Sequence, residues 1–308
     1  MKVAIVGAGG RVGCCTAYAL QLGGIVSEII LSDIAEDLVN GEALDLLHGS
    51  SLSHDQRISS GDMDAVSQAD VIIVTAGARR KPDESRLDLI NRNVSLFSSI
   101  MRDLKQAGPR DDAILVVVSN PVDVLTYLAI GLLDLPAHRV IGLGTLLDTA
   151  RFCSLLADAI KAAPTQVKAM MLGEHGDSMV PVWSSASYNG FPLGKHPDLT
   201  EPVKARIFER TRKSGAEIIK LKGGAGWAVA TSIATLVHAI ALDQERLLPV
   251  SSLQKGAYGI SKICLSVPTV VGRKGILRHV ELELWSRELT DLKNSAKVLA
   301  TTMAGIQI

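Results

Sequence analysis

Aromatic residues are scarce: Phe, Trp and Tyr make up 4% of the 308 residues, so Ala, Val, Ile and Leu must build any core. Excess charge of either sign is also missing, because 32 Lys and Arg face 32 Asp and Glu. A general nucleic-acid binder would carry a basic surplus, and an acidic disordered tail the opposite, so neither is expected. No apolar run approaches the roughly 18–20 residues that span a bilayer; the strongest are short, such as 113–118. No membrane association is expected. The N-terminus enters a strand-like run directly, without the basic, apolar and small-residue zones of a signal peptide. Only four cysteines occur, Cys14, Cys15, Cys153 and Cys264, with no metal-type spacing. Reduced thiols serving as small core residues of a cytoplasmic protein are the simple reading.

What is present is ordinary globular composition, 47% hydrophobic and 21% charged, over a length that suits two domains or one large one. The first half alternates short apolar runs (3–6, 29–31, 71–74, 114–118, 139–141) with amphipathic stretches (11–22, 36–47, 87–107, 123–132). The runs are continuous rather than alternating in polarity, as in strands covered on both faces. Strands alternating with helices imply a parallel sheet. Beyond Gly142 the pattern becomes mixed. Helices are expected at 146–161, 201–220, 226–242 and 286–303, and strand-like pieces at 167–172, 181–183, 247–250 and 263–271. The expected class is α/β: a Rossmann-type doubly wound parallel sheet in residues 1–141, followed by a mixed α+β substrate domain in residues 142–308. The polar loop 78–85 has the character of a lid.

Gly7, Gly10 and Gly13 follow the first expected strand and open the first helix. Such glycines permit a tight turn, close approach of a pyrophosphate and close packing of helix on strand, and the helix N-terminus offers free N–H groups to the anion. Alone, the loop is as compatible with a plain turn. Asp33, 20 residues after Gly13 at the end of the second expected strand, adds a carboxylate for a ribose 2′-hydroxyl. It would repel a 2′-phosphate, so NAD is the expected cofactor. The plainer alternative for Asp33 is a helix N-cap.

Three further groups of residues follow: Thr75-Ala76-Gly77 with Arg80 and Arg86; Ser119-Asn120-Pro121; and Asp148-Thr149-Ala150-Arg151 with Gly173-Glu174-His175-Gly176-Asp177. Singly they read blandly. Asp148 and Arg151 would share a helix face as a salt bridge, and His175 would be a surface histidine in a tight turn. Taken in this order, with the glycine loop and Asp33, they resemble the lactate/malate dehydrogenase family over essentially the whole chain.

The resemblance implies roles. His175 would exchange the hydroxyl proton, and Asp148 would orient it. Arg151 would grip the substrate carboxylate with two hydrogen bonds. Arg86 would polarise the substrate carbonyl from the closing loop, and Asn120 would position substrate and cofactor. Thr75, Ala76 and Gly77 would line the cofactor site. Metal is not part of this chemistry. Members of the family are mostly dimers or tetramers, so a homo-oligomer is expected.

The resemblance also places substrate choice at Arg80, six residues before Arg86, where malate-specific members carry Arg and lactate-specific members Gln. Ala225, in Lys222-Gly223-Gly224-Ala225-Gly226-Trp227, stands where lactate-type members carry Thr. With the seven-residue glycine loop, these imply a dicarboxylate substrate: L-malate oxidised to oxaloacetate, as in the tricarboxylic acid cycle. Against this, 84–89, 142–145 and 173–175 have a lactate-type character, so lactate/pyruvate is the alternative. Arg79 is the inward group if the loop register slips by one, and both arginines are surface charges on the plainest reading. From other classes, a family 4-like glycosidase would need NAD and a metal held by Cys and His, and a non-catalytic NAD-binding scaffold would need the catalytic residues missing.

Members activated by fructose 1,6-bisphosphate often carry Arg and His where this chain has Cys153 and Lys168. The KM for the keto acid is therefore expected to stay unchanged when that sugar phosphate is added to a steady-state assay.

Overall fold

The computed structural model describes residues 1–78, 86–194 and 196–306, the side chain of Arg86 excepted. Expectations that fall on Arg79, Arg80, the rest of residues 79–85 and the Arg86 side chain lie outside the described residues.

The first half runs β1 (Lys2–Val6), α1 (Arg11–Gly23), β2 (Glu28–Ser32), α2 (Glu36–Gly49), β3 (Arg57–Ser60), α3 (Met63–Ser67), β4 (Val71–Val74), α4 (Arg86–Ala107), β5 (Ile114–Val117), α5 (Val122–Leu132) and β6 (Val140–Gly142). The pairings among β1 to β6 are all parallel. Their order across the sheet is β3-β2-β1-β4-β5-β6, with the reversal between β1 and β4 where open sheets of this class bind ligands. The period of two along each strand sorts its apolar residues onto opposite faces. Val3, Ile5, Val71, Ile73, Ile114 and Val116 enter one core; Ala4, Val6, Ile72, Val74, Leu115 and Val117 enter the other. Both faces are covered, so β4 and β5 are buried throughout.

The second half runs α6 (Leu146–Ala159), β7 (Val167–Leu172), β8 (Val180–Tyr188), β9 (Phe191–Pro192), α7 (Glu201–Lys222), α8 (Trp227–Ala241), β10 (Arg246–Lys255), β11 (Ser261–Gly272), β12 (Gly275–His279) and α9 (Ser286–Ala304). The sheet does not stop at β6. Antiparallel strands β10, β11 and β12 extend it to nine strands through the pairing of Ser251 with Gly142. Helix α8 lays Val229, Ile233, Leu236, Val237 and Ile240 into the same core as Ala17 and Leu20 of α1. Strands β7, β8 and β9 form a separate antiparallel sheet, which packs with α6 and Ile207 of α7 around Phe152, Leu156 and Met171. The fold class matches the sequence reading. Strands β3, β9 and β12 and helix α3 escaped that reading. Among the described residues no helix is long and apolar enough to cross a membrane.

Helix α1 lies tight against the turn before it. A side chain at Gly13 would press into the Gly7 carbonyl oxygen and sit 2.6 Å from Ala8 Cα, both backbone atoms that cannot swing away. Gly13→Ala is therefore expected to cost about 1–3 kcal/mol of stability, the usual penalty of overpacking, read from the denaturant midpoint of unfolding.

Candidate active site

Three loops meet at the C-terminal ends of β1, β4 and β5. Gly7 has φ +86, and a Cβ there would lie 2.5 Å from the Ala76 backbone nitrogen, so the first loop crosses the second backbone to backbone. Thr75 Oγ1 is 3.1 Å from the carbonyl oxygens of both Val6 and Gly7. Ser119 Oγ donates to the carbonyls of Ala76 (2.5 Å) and Val74 (3.2 Å). Asn120, exposed and joined to Pro121 by a cis peptide bond, accepts the Val122 N–H at 3.3 Å. Helix α1 starts at Gly10 without a side-chain cap and without an acid in its first turn, so the N–H groups of that turn face outward unclaimed by a side chain.

Asp33, just after β2, accepts the Gly9 N–H on Oδ2 (3.0 Å) and the Ala35 N–H on Oδ1 (3.1 Å). It does not cap α2, whose N-cap is Ala35. Each oxygen keeps a lone pair for a further donor. A Cβ on Gly9 would occupy the space 3.3 Å from this carboxylate, Gly77 has nothing nearer than 3.9 Å, and Ile34 beside Asp33 is fully exposed. Bare N–H groups for a pyrophosphate, an acceptor for a diol and an exposed apolar side chain for a base together fit a dinucleotide.

At the other end of the cleft, α6 carries Asp148 and Arg151 one turn apart, and the turn after β7 carries His175. Asp148 is 1% exposed. Its Oδ2 lies 2.6 Å from His175 Nδ1, and its Oδ1 accepts from Arg151 Nη1 at 3.0 Å. Burial alone would push the Asp148 carboxyl up, but His175 and Arg151 outweigh it and hold it below the usual carboxylate range. Burial likewise pushes His175 down, and Asp148, helped by Asp123, outweighs that and raises it. An ionised Asp148 fixes the tautomer: Nδ1 carries the proton, and Nε2 is the free lone pair. The His175 side chain keeps about a fifth of its surface, 22%, in solvent. Arg151 Nε is buried with no hydrogen-bond partner among the described residues, so part of the guanidinium fork is uncommitted.

The rest of the neighbourhood fixes these groups. Thr145 Oγ1 donates to Met171 O (2.5 Å), and Thr149 Oγ1 accepts the Met171 N–H (2.9 Å), docking α6 on β7. Gly173, at φ +87, exchanges backbone hydrogen bonds with Ser266 of β11, and Ser295 of α9 accepts the Glu174 N–H at 2.8 Å. Ala225 packs at the edge of the core shared by α1, α6 and α8, in a connection pinned by Arg11 donating to the carbonyls of Lys222 and Gly224.

Residues 1–142 match the family model "lactate/malate dehydrogenase, NAD binding domain", and residues 145–307 match "lactate/malate dehydrogenase, alpha/beta C-terminal domain". The chain belongs to the lactate/malate dehydrogenase family. As a member it binds NAD, in agreement with the cradle above. It is 42% identical to an L-lactate dehydrogenase of Synechococcus sp. (strain JA-3-3Ab) over the whole of both chains. It is also 42% identical to the L-lactate dehydrogenase B-B chain of Danio rerio, covering 97% of this chain and 90% of that one. Among solved structures, the minor L-lactate dehydrogenase of Enterococcus mundtii superposes with a TM-score of 0.95 at 34% identity, covering 100% of this chain and 98% of that one.

These relatives overturn the malate expectation and its place in the tricarboxylic acid cycle. Relatives at 37–42% identity carry the name L-lactate dehydrogenase. The physical reason is that the expectation hung on few side chains. Arg80 lies outside the described residues, and what a side chain meets depends on its backbone path, not on its spacing from Arg86. Ala225 sits at the edge of an apolar core, where a small residue has a packing reason. With the malate reading goes the pairing of Arg80 with a second carboxylate.

Sequence reasoning missed two residues that hold the site. Asn93 of α4 accepts the Ala78 N–H at 2.7 Å and so ends the Thr75-Ala76-Gly77 loop; nothing in its context marked it. Asp123, in the first turn of α5, accepts the His175 N–H; its spacing from Asn120 does not say that its carboxylate reaches that turn.

Asp148→Asn removes the counter-charge of the imidazolium. The His175 midpoint, followed by NMR of the imidazole, is expected to fall below its wild-type value. A raised His175 contributes stability that is complete below its unfolded midpoint, about 6.5, and fades as pH rises through the folded one. Asp148→Asn should therefore narrow the stability difference between mildly acidic and alkaline solution.

Proposed function

We propose that the chain interconverts L-lactate and pyruvate with NAD. The observation that carries this reading is the single buried carboxylate of Asp148 shared between His175 Nδ1 and Arg151 Nη1, because it sets a proton acceptor and a carboxylate receptor side by side. Whole-length likeness to L-lactate dehydrogenases supports the choice of substrate.

In this reading Arg151 binds the substrate carboxylate, using the part of its fork that Asp148 leaves free; a planar two-pronged donor orients the acid where lysine would not. His175 Nε2 takes the hydroxyl proton during oxidation and returns it during reduction. Asp148 keeps Nδ1 protonated and stabilises the imidazolium. Arg86 polarises the carbonyl, and Asn120 positions the substrate. NAD, when bound, supplies the acceptor for the hydrogen leaving substrate C2 as hydride. Gly7, Gly10, Gly13 and Asp33 hold its diphosphate and ribose side, and Thr75, Ala76, Gly77 and Asn120 line the other side. Residues 1–141 then serve the cofactor and 142–308 the substrate. Four free cysteines agree with a cytoplasmic protein; a homo-oligomer, dimer or tetramer, is the accompanying expectation and is checked by light scattering.

With NADH, kcat/KM is expected to be higher for pyruvate than for oxaloacetate; the reverse order overturns the proposal. Arg151→Lys should lower kcat/KM for pyruvate about 10²-fold, the size of a lost charge-assisted pair. Since reduction needs the imidazolium and oxidation the neutral ring, pyruvate reduction should fall, and lactate oxidation rise, as pH climbs through the His175 midpoint. Initial rates in the two directions across pH 5–9 check this.

A further inference from the structure

Asp123 is the second residue of α5, on the helix that follows Asn120 and Pro121, and is 3% exposed. Its Oδ2 accepts the backbone N–H of His175 at 2.8 Å. Its Oδ1 is buried with no hydrogen-bond partner among the described residues, and neither has the Oγ of Ser251, its neighbour on β10. The groups that face this carboxylate are His175 and Glu174 from the catalytic turn, Ser251 from β10 and the buried Cys264 thiol from β11. Two carboxylates, Asp148 at the ring and Asp123 at the backbone, therefore act on one histidine.

We propose that Asp123 is a positioning residue for the reaction: it holds the turn through the N–H of His175 itself and, as a second negative charge, helps set the pH at which His175 exchanges its proton. The proposal rests on the acid–base role given to His175 above. A merely structural acceptor would not need the charge, since an amide oxygen accepts an N–H as well. Burial pushes the Asp123 carboxyl up to about 6; the His175 N–H and the His175 charge act against burial, and Glu174 adds to it. Ionised above that pH, Asp123 supports the imidazolium; protonated below it, that support is lost.

The test is an NMR titration of the His175 imidazole in the wild type and in Asp123→Asn, which needs no turnover, alongside kcat and KM for lactate. The wild-type signal is expected to show a second inflection near pH 6. In Asp123→Asn that inflection disappears, and the main midpoint drops by about one pH unit, the low end of the effect of a nearby charge. Lactate oxidation shifts to lower pH in step. Asp123→Ala, which also strands the His175 N–H, should lose about tenfold more kcat than Asp123→Asn with little change in KM, since misplacing a catalytic group costs rate more than binding. A folded Asp123→Asn protein with the wild-type His175 titration overturns the proposal. If the variant does not fold, carbon NMR of the Asp123 carboxyl in the wild type decides the matter: an inflection of that carboxyl signal at the His175 midpoint supports the proposal, and a carboxyl signal that does not respond to His175 overturns it. The predicted titrations in a protein inactive on lactate would support Asp123 and overturn the lactate reading.

Discussion

The site depends on one carboxylate that water cannot reach. An isolated charge as buried as Asp148 would be neutralised or would unfold its surroundings. It stays ionised because both oxygens are taken by cationic or proton-sharing partners. Removing one partner from such a group typically costs about 3–5 kcal/mol, more than the pair contributes over an apolar replacement. The arrangement is therefore costly as a stabilising device and makes sense as a way to fix a tautomer and an orientation. It also dictates the structure around it. Asp148 and Arg151 meet because they are three apart on α6. His175 must be delivered by a different element, and the hydroxyls of Thr145 and Thr149 hold that element, β7, against the helix.

This demand explains why the second half of the chain does not form a detached lobe. The turn bearing His175 is bonded to β11 through Gly173 and Ser266, and β11 pairs with β10, which pairs with β6 of the parallel sheet. The cofactor loops hang from β1, β4 and β5 of that same sheet. A continuous backbone ladder thus runs from the glycine loop to the turn bearing His175. Asp123 adds a shorter route, from the helix after Asn120 straight to the His175 N–H. Packing completes the frame: α8 covers the sheet beside α1, and Arg11, the first residue of α1, ties down the connection before α8.

Much of this was legible because burial writes itself into the sequence. Strands β1, β2, β4 and β5 are covered on both faces and appear as unbroken apolar runs. Strand β3 is an edge strand with one buried residue, Ile58, so it left no pattern. Strand β12 is likewise a mostly unburied edge. Spacing alone made Asp148 and Arg151 neighbours, but spacing cannot say that the other oxygen of Asp148 reaches a residue 27 positions later. Asp123 and Asn93 were silent for the same reason: each acts on a backbone N–H, and any sequence offers one. Substrate choice was the least legible. A loop arginine carries the right charge for a dicarboxylate at any position, and only whole-chain likeness to L-lactate dehydrogenases corrected that reading.

The balance of 32 positive and 32 negative residues leaves no net charge to gather anions, so recognition of an organic acid must be made locally. Within the buried group, Asp148 and Arg151 cancel. The remaining charge is set by His175 and Asp123. With both ionised the four groups sum to zero, and with His175 neutral they sum to minus one. An incoming carboxylate therefore meets a neutral group when the imidazole holds its proton and a repelling one when it does not. In the reaction proposed above, that favours the keto acid on the protonated form, the form assigned to its reduction. In the same proposal the hydroxy acid binds against the single negative charge, and transfer of its own proton to His175 removes that charge. Substrate binding and the proton step are thus coupled through the count of carboxylates around one histidine, and a second buried aspartate changes that count as surely as the residue that touches the ring.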